Sequence, residues 1–305
     1  MENEYCYEGK LLKSQPECTL ERILRAVDEF TTLEGICYLC DGEKNLHVKI
    51  GKYEGIIPKS ECVYSAHGLP EKDIAIVTRV GKPICFKVVG VDKNGSEPMF
   101  LLSRRKAQRE CAAEYISALS AGDVIEARIT RLDSFGAFCD IGRGIAALLP
   151  IDRMSVSRIS HPRDRFKNGQ VIKAVVRESA DDFGRITLTH RELLGSWEEN
   201  ASLFEAGQTA AGIIRSVEDY GVFIELTPNL AGLSEPFEAA EVGMSAAVYI
   251  KSIIPERMKI KLAMIDCGFG ICKAPEYEYP DVTHIDSWKY SPEGCGKIIE
   301  TVFNT

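Results

Sequence analysis

Two short runs pair aromatic rings three residues apart across a glycine: Phe135-Gly-Ala-Phe138 and Tyr220-Gly-Val-Phe223. Flat rings beside cations are the chemistry of base stacking and phosphate attraction on a single nucleic-acid strand, not of bond making. Cations are at hand in the run RISHPRDRFK, which holds Arg158, His161, Arg163, Arg165 and Lys167, and further on in Arg185 and Lys259. Catalytic patterns are missing: there is no nucleophile elbow, HExxH or Walker loop. Gly294-Cys-Gly-Lys297 lacks the spacing and terminal hydroxyl of a phosphate loop, and Gly142-Arg-Gly144 leads into a strand rather than a helix, so it reads as a hairpin turn. Cys37-Tyr-Leu-Cys40 has zinc-ligand spacing but lies in a strand pattern with no second pair. The expectation is a binding protein without catalytic residues, metal or cofactor.

The ring pairs sit at corresponding places in a repeat. Ala127 to Leu148 reads ARITRLDSFGAFCDIGRGIAAL and Ala211 to Leu233 reads AGIIRSVEDYGVFIELTPNLAGL, a spacing of about 85 residues that suits a small-domain array. Each copy opens on a turn (AGDV at Ala121, AGQT at Ala206), then runs through an alternating strand, the ring pair and another strand. Each closes on two alternating strands about a polar turn, Phe166 to Leu188 and Glu241 to Leu262. A fainter first copy covers Leu33 to Pro58 and Val80 to Ser103, with Lys44 and His47 where the rings stand later. Strand alternation alone would send rings three apart to opposite faces, so Gly136 is expected to allow a local twist or bulge that brings them together.

Three helices are expected around the repeats. Arg104 to Leu119 has helix formers and neither Gly nor Pro, and Glu192 to Phe204 reads as a second, shorter helix. Thr19 to Phe30 is amphipathic, with Thr19 as cap and a packing stripe of Leu20, Ile23, Leu24, Val27 and Phe30. The expected layout is an N-terminal extension with a helix (1–32), a degenerate first repeat (33–105), a linker helix (106–117), second and third repeats (118–196 and 197–266), and an unassigned tail (267–305).

Repeats of about 75 residues with five strands, a glycine turn and an aromatic-Gly-x-aromatic centre resemble the S-one domain, a variant of the oligonucleotide-binding barrel. EGIIPKSE (Glu54 to Glu61) and LSRRKA (Leu102 to Ala107) are similar to the repeat ends of the bacterial ribosomal protein S-one family. The resemblance implies an all-β fold of tandem five-stranded OB-fold barrels with short connecting helices. It also implies that the rings stack bases of single-stranded messenger RNA, and that the partners are mRNA and the small ribosomal subunit. A ribosome-independent regulatory RNA-binding protein and a protein-interaction module are the alternatives. The family's His in Gly-Leu-Val-His is replaced by Pro58, Pro150 and Glu235; its late Arg is matched by Arg185 and Lys259, and its Asp by Asp181 or Asp182 in the second repeat alone.

Net charge is −8, so attraction to phosphate must be local. The second repeat carries twelve basic residues against ten acids, the third five against eleven, which ranks the second as the better RNA surface. The polar, acidic start and the lack of a long apolar run lead to an expected cytoplasmic location without membrane contact. Eleven scattered cysteines point to reduced thiols.

Overall fold

The computed structural model describes residues 5–14, 18–65, 72–92, 98–181, 184–270 and 277–303. Three closed five-stranded barrels follow one another along the chain. Barrel one is β1 (Thr32–Cys40), β2 (Leu46–Ile50), β3 (Tyr53–Ile57), β4 (Pro83–Asp92) and β5 (Met99–Ser103). Barrel two is β6 (Val124–Asp133), β7 (Gly136–Gly142), β8 (Ile145–Pro150), β9 (Val171–Glu178) and β10 (Thr187–Thr189). Barrel three is β11 (Thr209–Glu218), β12 (Gly221–Thr227), β13 (Leu230–Ser234), β14 (Ser245–Ile254) and β15 (Lys259–Gly268). In each, the third strand runs parallel to the fifth and the other pairings are antiparallel, the closure that removes free sheet edges.

Period-two patterning explains the cores. In β12, Val222 and Ile224 are buried while Phe223 between them is half-exposed; in β15, Ile260 and Leu262 point in while Lys259 and Lys261 point out. Each barrel is filled by its own apolar cluster, and each fully buried Ile or Leu contributes about 1.5–3 kcal/mol.

Among the described residues five short α-helices decorate the barrels: α1 (Lys10–Ser14), α2 (Leu20–Asp28), α3 (Asp73–Val77), α4 (Arg104–Glu114) and α5 (Trp197–Ala201). Thr19 caps α2 as its sequence suggests, with its hydroxyl accepting from the Arg22 amide. The expected packing stripe is only partly used. Ile23 and Ala26 are buried, but Leu20 and Leu24 stay partly exposed, and Phe30 lies beyond the helix end with a φ of 52° and its ring in solvent. The expected helix over Glu192 to Phe204 is broken into a 3-10 turn at Arg191–Leu193 and α5. Gly195, at φ +78°, turns the chain between them, and Ser196 with Glu199 forms a capping box that restarts it.

The barrels are joined by buried polar seams. Between barrels one and two, the N-terminal Glu8 takes a two-pronged grip from Arg104 at 2.7 and 3.1 Å, while its amide donates to Asp140 at 2.8 Å. Burial and the Glu8 carboxylate push Asp140 up to about 7. Between barrels two and three, Arg165 donates to both oxygens of Glu225 at 2.8 and 2.6 Å and to Ser155 at 3.0 Å. Asn229 pins the same seam, accepting from the Val156 amide and donating to the carbonyls of Arg191 and Gly195.

The tail has structure that the repeats did not foretell. Tyr277 and Tyr279 pack on His190 of barrel two, His284 bonds Asp123 at 2.7 Å, and Trp288 and Tyr290 join barrel three's core. A small hairpin of β16 (Ser287–Lys289) and β17 (Glu300–Val302) closes this strap across both barrels.

Candidate nucleic-acid interface

The three barrels can be compared position by position through a shared irregularity. The first strand of each carries a bulge before the outward residue that faces the second strand: between Cys37 and Leu39, Ile129 and Arg131, Ile214 and Ser216. Across from these stand His47, Phe138 and Phe223. The same outer face continues onto the third and fifth strands, where Ile56 is beside Leu101, Leu148 beside Thr187, and Leu233 beside Lys261.

Both ring pairs lie on this face. Phe135 and Phe138 have centroids 5.9 Å apart at 88°, and Tyr220 and Phe223 are 6.2 Å apart at 88°, edge-to-face in each case. Phe135 is 54% and Tyr220 66% exposed, far too open for core residues. The rings converge for a different reason from the one expected of Gly136. Phe135 and Tyr220 sit in the hairpin turns, where strand alternation does not apply, and the bulge lies on the preceding strand. Gly136 and Gly221 are needed for close approach instead, since a Cβ there would stand 2.6 Å from the Leu149 carbonyl and 2.3 Å from that of Ser234.

Charge around the rings differs between the barrels in a way that whole-repeat counting hides. Near the barrel two pair, Arg131 lies over the Phe138 ring at 5.9 Å but is held by Asp133 at 2.9 Å. Arg185 is paired with Asp181 at 2.8 Å, and Asp182 lies outside the described residues. Arg177 donates to the Val302 carbonyl of the tail. Barrel three has an open groove of about 540 Å3 lined by Tyr220, Phe223, Leu233, Lys251, Lys259 and Lys261. Lys251 bonds Glu235 at 2.8 Å, and that ammonium holds the Glu235 carboxyl below its ordinary range. Lys259 and Lys261 are exposed and unpaired among the described residues.

The basic loop between β8 and β9 divides into two kinds of residue. Arg158, Arg163 and Lys167 are exposed. Arg165 is a correction: it is fully buried in its pair with Glu225, so its guanidinium cannot reach a phosphate. His161 is engaged as a cap, its Nδ1 accepting from the Arg163 amide at 3.1 Å, with Asp164 completing the box. Sequence reasoning missed Glu225, Arg215, Asn229 and Lys261. Of these, Lys261 had a signal, since its two-residue spacing from Lys259 places both on one face.

In barrel one the first and fifth strands present apolar side chains to this face, with Leu39, Met99 and Leu101 exposed where barrel two has Arg131, Arg185 and Thr187. The two ring positions hold Lys44 and His47, yet Tyr38, in the bulge, stands edge-on to His47 at 6.2 Å with Lys49 at 5.2 Å from its ring. Cys37 of the zinc-like spacing points into the barrel core, and no metal-binding cluster occurs among the described residues.

Residues 119–191, which are barrel two with its flanks, match the S1 RNA binding domain family. The small ribosomal subunit protein bS1 of Leuconostoc lactis is 31% identical over 60% of this chain and 46% of its own length. The bS1 homolog of Bacillus subtilis is 29% identical over 60% of this chain and 52% of its own. The chain thus spans about half the length of the curated relatives it matches. A solved multidomain protein with nucleic acid binding domains from Streptococcus pneumoniae aligns over 80% of this chain and 76% of its own at 14% identity, with a TM-score of 0.25.

Proposed function

We propose that this chain, similar in sequence to the bS1 proteins and matching the S1 RNA binding domain in its middle barrel, binds single-stranded RNA. Its ligand in this reading is messenger RNA during translation, held at the small ribosomal subunit in the cytoplasm. The observation that carries the reading is the pair of exposed edge-to-face ring pairs on equivalent barrel faces. Rings kept in water at a cost in hydrophobic burial, beside cations, suit bases that are already unstacked. The role is binding rather than catalysis, with no catalytic residue assigned. No helix among the described residues is long and apolar enough to cross a membrane.

Phe135, Phe138, Tyr220 and Phe223 would supply the stacking, while Arg158, Arg163, Lys167, Arg185 and Lys259 would meet phosphates. Such contacts position the strand but carry no base information, so sequence preference should be weak. Titration of labelled oligouridylate into the full chain tests RNA binding, and co-sedimentation with small subunits tests the ribosomal setting. Binding that ignores salt and ring substitution contradicts the first. Protein that stays at the top of the gradient whether or not mRNA is present contradicts the second.

A further inference from the structure

The Arg165–Glu225 seam places the basic loop of barrel two beside the ring pair of barrel three. Phe223 and Glu225 are two residues apart on β12 and both project from its outer face, because Val222 and Ile224 fill the core. Two residues of strand span about 7 Å. Arg165 grips Glu225, and Asp164 lies 3.5 Å from Arg215, whose neighbour Ser216 faces Phe223 across the ladder. Arg163, exposed and with no ion-pair partner among the described residues, lies in the chain directly before Asp164 and Arg165, the two residues that fasten this loop to barrel three. A footprint of about 4–16 nucleotides per barrel of this type covers both.

We propose that barrel three and the β8–β9 loop of barrel two form one composite site for a single RNA strand. Tyr220 and Phe223 stack bases at its centre, Lys259 and Lys261 hold phosphates on one side, and Arg163 holds one on the other. The proposal rests on the RNA-binding reading above, and it reverses the order of the barrels that net charge suggests. Glu235 on the groove is taken up by Lys251, whereas Lys259 and Lys261 are unpaired among the described residues. On barrel two, Arg131, Arg185 and Arg177 already have partners in Asp133, Asp181 and the tail.

The test places Arg163→Ala in two backgrounds of the full chain and measures affinity for an octamer of uridylate. In the Phe135→Ala/Phe138→Ala background, loss of Arg163 should weaken binding about threefold and reduce the salt slope by about 0.7, the value for one phosphate on a single strand. In the Tyr220→Ala/Phe223→Ala background, it should change neither. Lys259→Ala/Lys261→Ala should lower the slope by about 1.4 in the unaltered chain. Arg163 acting only when Phe135 and Phe138 are present, or equally in both backgrounds, overturns the composite site. Failure of the unaltered chain to bind the octamer refutes the RNA reading itself. Circular dichroism of each variant separates lost contacts from lost fold, and Arg163→Lys should restore most of the slope.

Discussion

Arg165 separates a structural reading of the basic loop from a nucleic-acid reading. Replacing it by Ala leaves Glu225 buried with Arg215 as its one remaining cation among the described residues, at 2.8 and 3.1 Å, and removes a donor from the Ser155 hydroxyl, which keeps its own bond to the Ser157 carbonyl. Breaking a buried pair costs about 3–5 kcal/mol, and the surviving Arg215 contact puts this case near the lower end, about 3 kcal/mol. A urea slope of about 1–3 kcal/mol/M turns that into a midpoint shift of roughly 1–3 M. The assay is urea unfolding followed by tryptophan fluorescence. Both tryptophans, Trp197 and Trp288, belong to barrel three's core and so report the half of the molecule at the seam. An unchanged midpoint, with a salt slope for RNA binding reduced by about 0.7, would mean that Arg165 contacts phosphate and that the seam is misassigned.

Three further outcomes follow from the same geometry. Phe135→Ala/Phe138→Ala should weaken binding to unstructured RNA by about 1–3 kcal/mol with no change in unfolding midpoint, read by titration and urea melts in parallel. Burial holds His190 down to about 4 from 6.5, so its contribution to stability is complete above about 6.5 and is lost as pH falls through 4. That is about 3 kcal/mol, and His190→Gln should flatten the melting profile over this window; Asp140, shifted upward, acts in the opposite direction, so the difference between variant and parent is the quantity to read. Gly144→Ala should destabilise the seam of barrels one and two, because φ is +78° and a Cβ would stand 2.0 Å from Arg104 and 2.6 Å from Glu8; thermal melting checks it.

The sequence made the barrels legible because period-two alternation and a repeated glycine turn are local signals. The ring pairs were legible for the same reason, since aromatic-Gly-x-aromatic recurs at one place in the repeat. Arg165 was not, because its burial is decided by Glu225, sixty positions away in another barrel. Local charge at the rings was also hidden. The acids that make barrel three net negative are spread over its whole surface, while Lys259 and Lys261 share one face of β15. The tail escaped because its two strands are three residues long and owe their pairing to Trp288 and Tyr290 anchoring in a neighbouring core.

The most direct measurement for the central claim is photocrosslinking of the full chain to an unstructured RNA carrying 4-thiouridine, followed by mapping of the linked peptides. Crosslinks should concentrate on the segments holding Phe135, Phe138, Tyr220 and Phe223 and fade as salt rises, with none at Lys44 or His47, which stand at the ring positions of barrel one. Crosslinks confined to barrel one or to the tail strap, or none under conditions where the RNA is bound, would contradict RNA binding through the ring-bearing faces.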